Sequence, residues 1–268
     1  MLIYNPNRPF LRLVFAGGLL FALFIYGLSI AQTEPALDLL ARNQAPSFNF
    51  WFGTDNLGRD LWLRCFQGML TSLYVGLFSA LVSGFIALFF AGLSTINKQL
   101  DYLVRGIIDA LLALPHLLLL ILICFTIGGG LQGVIIAIAL THWPKLALIL
   151  RSEILSAREA DYIVLAKRLG NRPIYCIRKH YLPILLPQWI VGTLLMFPHA
   201  VLHSAALSFL GFGLAAHEAS LGLLLADALR YLNSGAWWLV LFPGLILMTL
   251  VLLFDQFAKA LQQLWFRR

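Results

Sequence analysis

Charge is what this chain has least of. Asp, Glu, Lys and Arg make up 12% of its 268 residues, where a soluble domain carries roughly a quarter. With 60% hydrophobic residues and a mean hydropathy of +0.85, that scarcity excludes a water-soluble globular protein and leaves an integral membrane protein. Cysteine is sparse too: Cys65, Cys124 and Cys176 are scattered, which excludes a disulfide framework and a cysteine metal knuckle. Catalytic signatures are missing. No G-x-S-x-G elbow occurs. His217-Glu218 opens like a zinc-protease helix, but position 221 is Leu and the second histidine is lacking. Gly128-Gly129-Gly130 is not followed by the Gly-Lys-Ser/Thr that cradles a phosphate. The chain is therefore expected to be no enzyme, to hold no cofactor of its own and to leave ATP alone. No internal repeat or low-complexity tract interrupts it.

What is present is a series of apolar runs. Six reach bilayer-spanning length: 11–30, 70–93, 103–127, 131–150, 185–210 and 236–261. Ser29-Ile30-Ala31 resembles a signal-cleavage site after a basic start, but the run is long for a signal core, so a retained span is expected. The third run contains Asp109, Pro115 and His116. Six crossings place both ends on one face. Fifteen Lys and Arg then fall on that face and only Arg42, Arg59, Arg64 and Arg230 on the other, which makes the first face cytoplasmic. This clustering at the ends of spans, rather than nucleic-acid binding, accounts for the net charge of +7. The expected fold is an all-α membrane protein of six transmembrane helices with both termini cytoplasmic. Residues 1–69 form an N-terminal helix plus an outer segment, and residues 70–268 a five-helix core.

The most informative stretch is the basic island between spans four and five, within residues 151–187. Tyr162, Leu165, Ala166 and Leu169 fall at i, i+3, i+4 and i+7, one apolar stripe on a helix. Gly170-Asn171 tolerates left-handed backbone and stops it. Pro173 opens a second helix with stripe Ile174, Ile177 and Tyr181. Two short helices at a glycine elbow on the membrane surface suit docking onto another protein.

Taken together, these residues resemble an ABC importer permease, the inner-membrane component of binding-protein-dependent transport. Gly170 is followed by Leu182-Pro183 at the spacing of that family's "EAA" coupling loop, here spanning 151–183. FGTDNLGRD (52–60) and LSFLGFG (207–213) resemble signatures of the dipeptide, oligopeptide and nickel class. VIIAIALTHW (134–143) and Leu202-His203 are most similar to the nickel-importer member. The similarity covers about residues 8–265. Where many permeases carry Glu-Ala-Ala, this chain has Val164-Leu165-Ala166, and Glu159 and Asp161 lie one turn earlier.

The resemblance implies a type I importer transmembrane fold in the bacterial inner membrane. It also implies a second homologous permease, two ATP-binding cassette subunits carrying ATP and Mg, and a periplasmic solute-binding protein. Glu159, Asp161, Tyr162, Leu165, Ala166, Leu169, Gly170, Arg172 and Pro183 would couple to the ATPase. The cargo would be nickel or a metal chelate, with di- or oligopeptides as the alternative. His116, His142, Met196, His199, His203 and Asp109 are the candidate pathway residues, His199 and His203 being one turn apart at a spacing that also chelates metals. None is assigned as a firm metal ligand. The outer loop 211–235, with Glu218, Asp227 and Tyr231, is either a docking surface for the binding protein or a solvated connector.

Overall fold

The computed structural model describes residues 8–213, 219–232 and 235–266. Among these, every regular element is helical: α1 Arg8–Ile30, α2 Leu61–Ser94, α3 Lys98–Ala113, α4 His116–Thr126, α5 Gly130–Glu159, α6 Asp161–Arg168, α7 Pro173–Cys176, α8 Leu182–Phe209, α9 Leu221–Leu229 and α10 Trp238–Trp265. A wide π turn, Ile177–Tyr181, joins α7 to α8. Five helices are long and apolar enough to cross a bilayer: α1, α2, α5, the run Ile174–Phe209 and α10.

The sixth crossing is not the single helix expected over 103–127. The residue before a proline is pushed out of helical space, and Leu114 accordingly takes ψ 145° ahead of Pro115. Helices α3 and α4 therefore meet at a bend of 100°. Neither is long enough alone, since 11 residues of α4 span about 16 Å. Helix α3 is amphipathic, burying Val104 and Ile108 while Asp109 is exposed.

Helix α2 is the centre of the bundle. Gly68, Ser72, Gly76, Ala80 and Gly84 recur every fourth residue and, with Ala87 and Ala91, are buried. Such a small-residue stripe lets backbones approach where lipid supplies no hydrophobic drive. The approach is tight at Gly76, where a Cβ would lie 2.5 Å from Val201 Cγ2. Helices α5 and α8 pack on this stripe, and Trp189 Nε1 donates to Gly84 O at 2.8 Å. The helix begins at Leu61 rather than at 70, capped by Asp60, whose carboxylate accepts from Trp62 N at 2.8 Å. Burial raises the Asp60 pKa, opposed by the backbone bonds from Trp62 and Leu63.

The FGTDNLGRD motif is a folded knot, with Asp55 accepting from Leu57 N and Arg59 N, each at 2.9 Å. It docks on the last helices through Asn56 Nδ2 to Tyr231 Oη at 3.0 Å and Trp238 Nε1 to Thr54 O at 3.3 Å. The expected outer loop 211–235 contains a helix, α9. Ser220 caps it, accepting from Leu223 N at 3.1 Å, and it buries Leu221, Leu224 and Ala228. Glu218 lies outside the described residues.

On the basic face, α3 is tied to α5 by a bidentate pair. Arg151 donates through Nε and Nη2 to the two Asp101 oxygens at 2.6 and 2.7 Å. The pair is partly exposed, so screening limits its worth to about 1 kcal/mol. Asp101→Asn is expected to lower the thermal stability of the purified protein by a few degrees without preventing insertion. A thermal shift assay reads this directly.

Candidate functional site

Two places concentrate the residues singled out in the sequence: a cavity within the bundle and the elbow on the basic face.

The cavity, of about 650 Å³, opens between the end of α3, α4, α5 and α8. Its apolar lining includes Leu111, Leu112, Leu114, Leu195 and Met196, and its polar groups are Thr141, Lys145, His116, His142, His199 and His203. Proline shapes each wall. Pro115 breaks the chain ahead of His116, while Pro144 lies inside α5 and Pro198 inside α8. Each lacks an amide hydrogen and disturbs the helix about it, which suits a wall that must not close by ridge-into-groove packing.

Within this cavity, His116, His142 and His203 meet. Their ring centroids are 4.8 Å (116–142), 4.7 Å (116–203) and 5.1 Å (142–203) apart. His142 Nδ1 lies 3.0 Å from Ile138 O. Nδ1 also lies 3.1 Å from Thr141 Oγ1; with its proton on Nδ1, donated to the carbonyl, the ring presents a lone pair at Nε2. That Nε2 is buried and has no hydrogen-bond partner.

The pathway candidates thus divide. His116, His142 and His203 are brought together. Met196 and His199 line the same cavity, but His199 stands outside the triad, its Nδ1 within 3.3 Å of Leu195 O. The i, i+4 partnership of His199 with His203 is therefore not the one that forms; His203 turns instead to the rings of α4 and α5. Asp109 is absent from the lining: Leu111 and Leu112 at the end of α3 reach the cavity, whereas Asp109 lies on the exposed face of that helix. Lys145, counted above with the face charges, sits mid-helix in α5 and lines the cavity. Nothing in the sequence marked it out except a charge between apolar turns.

The elbow follows α5, which continues past residue 150 to Glu159 and breaks at Ala160 (ψ 129°). Helix α6 carries the expected stripe, with Tyr162 51% and Leu169 73% exposed, and Leu165 exposed beside them. Ala166 departs from it: it is buried, as is Ile163, because this face packs against α5 and α7. Gly170 turns the chain at φ +77°. Glu159, Asp161, Arg172 and Pro183 are exposed around it. The second helix is not separate from the fifth span. Pro183 sits inside the first turn of α8, and the wide turn 177–181 relieves the clash its ring would make with the carbonyl four residues back. The elbow and span are thus one continuous body. A patch of exposed apolar side chains (Tyr162, Leu165, Leu169, Ile174 and Ile177) stands on the basic face.

The end of α8 is fastened to the α4–α5 turn. Gly130 N donates to Gly213 O at 3.2 Å and Cys124 Sγ to Phe212 O at 3.0 Å, which gives the LSFLGFG motif a structural task.

Residues 80–267 match the family model described as binding-protein-dependent transport system inner membrane component. The chain is 35% identical over 225 residues to the dipeptide transport system permease protein DppC of Bacillus subtilis (strain 168), covering 84% of this chain and 70% of that one. It is 38% identical over 246 residues to the protein of the same name from Alkalihalophilus pseudofirmus, covering 91% and 79%. A putative peptide transport system permease protein of Brucella suis biovar 1 is 37% identical over 210 residues, covering 78% and 71%. Among solved structures, an amino acid ABC transporter with histidines superposes with a TM-score of 0.60 at 17% identity, covering 76% of this chain and 94% of that one. The inward-facing MetNI methionine ABC transporter gives 0.58 at 22% identity, covering 72% and 94%. At these identities the structural likeness is one of fold, that of ABC importer transmembrane domains.

Proposed function

The chain belongs to the family of binding-protein-dependent transport system inner membrane components, and from that premise we propose that it forms the passage of an ATP-driven importer for di- or oligopeptides. The sequence placed nickel or a metal chelate first and peptides second. The curated relatives, named for dipeptides and peptides, favour the reverse order. In this reading the chain sits in a bacterial inner membrane beside a second, homologous permease. A periplasmic binding protein delivers the cargo, and two ATPase subunits hold the ATP and Mg.

The observation that carries the reading is the cavity. Its volume of about 650 Å³ falls within the range of small-ligand sites, roughly 300–1,000 Å³. An apolar wall accepts varied side chains, while Lys145 offers a cation to the carboxylate that every free peptide carries. Helix α4 begins at His116, which lines the cavity, and has no side-chain cap, so the positive end of its dipole lies near the same space. A charge-assisted hydrogen bond is worth about 1.5–3 kcal/mol, so Lys145→Gln is expected to reduce dipeptide uptake about tenfold or more. A C-terminally amidated dipeptide should lose the distinction between the two proteins. Equal uptake of the free-acid dipeptide by variant and parent, with the complex assembled, would refute the role of Lys145.

The elbow is the proposed point of coupling. Its exposed stripe of Tyr162, Leu165 and Leu169 would seat in the ATPase, with Glu159, Asp161 and Arg172 at the rim. Because the elbow is continuous with α8 and separated from α5 only by the break at Ala160, closure of the ATPases would tilt both helices about the cavity and alternate its access.

A further inference from the structure

We propose that His116, His142 and His203 form a binding site for a borderline divalent transition-metal ion inside the cavity. The site is read from this chain's own side chains and stands whether or not peptides are the cargo.

Three observations carry it. First, the imidazoles come from three separate helices, α4, α5 and α8, and their donor atoms all lie within 4.8 Å of one another. A histidine satisfied by its own helix explains one ring, not the convergence of three. Second, His142 Nδ1 is held by Ile138 O and the Thr141 hydroxyl, while its Nε2 is buried and has no hydrogen-bond partner. Metal-binding imidazoles are oriented in this way, by a backbone or carboxylate partner on the other ring nitrogen. Third, the group contains imidazoles and no carboxylate, a donor set that suits zinc, copper, nickel or cobalt rather than magnesium or calcium.

The geometry also fits a passage. Donors on one ion at about 2.0–2.1 Å stand roughly 3.4 Å apart in a tetrahedral set, so rotations of the rings by about an ångström close the cluster around an ion. Three protein ligands leave coordination positions open. An ion held by a loose, incomplete set is released again, which conduction requires. Lys145 lines the same cavity and opposes a bare dication. It favours an ion that arrives with an anionic ligand, such as a peptide chelating through its amine and carboxylate.

The test uses the full chain purified with its partner subunits through a histidine-free tag, stripped with chelator and titrated with Co²⁺ alone. The parent is expected to bind one equivalent per permease chain with the ligand-field absorption of nitrogen-coordinated cobalt. His116→Ala and His203→Ala should each weaken that binding at least tenfold, and His199→Ala should leave it unchanged. If an alanine variant fails to assemble, His116→Gln and His203→Gln make the same comparison with side-chain volume kept. No such absorption in the parent, or equal affinity in the His116/His203 double variant, would overturn the site. Dipeptide uptake by the same preparations separates the two readings. Absence of cobalt binding in a parent that still takes up dipeptide condemns the metal site alone, and cobalt binding by a parent without dipeptide uptake condemns the peptide assignment alone.

Discussion

A Gly170→Val chain is expected to insert, fold and assemble, yet to lose most transport-coupled ATP hydrolysis. The expectation rests on separating what the substitution does inside the chain from what it does outside. Inside, Gly170 holds φ +77°, a region that costs a β-branched residue about 1–3 kcal/mol. Among the described residues, no atom beyond its two chain neighbours lies within 4 Å of a Cβ placed there, so there is no clash to add. That strain falls on an exposed elbow whose helices are anchored at their far ends, and it is small against the packing of the bundle. Outside, two methyl groups would project from the tip of the proposed contact, between Leu169 and the start of α7. An elbow seated closely in the ATPase would leave no room for them. Uptake and cargo-stimulated ATPase activity in reconstituted vesicles should fall at least tenfold, with complex yield near that of the parent. Gly170→Ala should be intermediate. Parental coupling in Gly170→Val would remove the elbow from the ATPase interface, and loss of complex would mean that Gly170 acts in assembly instead.

How much of this was legible in the sequence follows from which interactions are local. Helices α1, α2, α5 and α10 declare themselves by apolar length, and the elbow by the spacing of Tyr162, Leu165, Leu169 and Gly170. Capping by Asp60 and the turns around Gly53 and Gly58 likewise depend on neighbours in the chain. The bend at Pro115 was available from the restriction a proline places on Leu114, but the apolar run on both sides masked it and suggested one straight span. The burial of Ala166 and the outward turn of Asp109 needed tertiary packing. So did the triad. Its members lie 26 and 61 positions apart in sequence, and the local i, i+4 pattern favoured His199, which stands outside the cluster. Lys145 passed as a face charge because a lysine amid apolar residues gives no sign of the cavity it enters.

The most damaging single change is expected at Asp55, far from both sites. Its carboxylate is 5% exposed and accepts from two backbone amides of its own turn and from Arg59 Nε at 2.7 Å. It is also the counter-charge, at 3.8 Å, for Arg64, which is 4% exposed inside α2 and whose Nε has no hydrogen-bond partner. Removing one member of a buried pair strands the other, at a cost of about 3–5 kcal/mol, a large part of the roughly 5–15 kcal/mol by which proteins are stable. Asp55→Ala removes the charge and the turn's acceptor together, and little folded permease should be recovered. Asp55→Asn keeps an acceptor for Leu57 and Arg59 while losing the charge, and should lower the unfolding temperature in detergent by roughly 10 °C. The decisive comparison is Asp55→Asn with Arg64→Met. If the penalty arises from the stranded guanidinium, the double variant should be more stable than Asp55→Asn alone, because methionine fills the space without a charge. Were the double variant worse, the burden would lie in the turn itself, and the motif 52–60 would act through Thr54, whose hydroxyl donates to Ala41 O and accepts from Gln44 N and whose carbonyl accepts from Trp238 Nε1, rather than as the neutralising partner of α2. Either result bears on transport, since this knot clamps α2, the helix on which both cavity-forming helices α5 and α8 are packed, to α10 at its outer end.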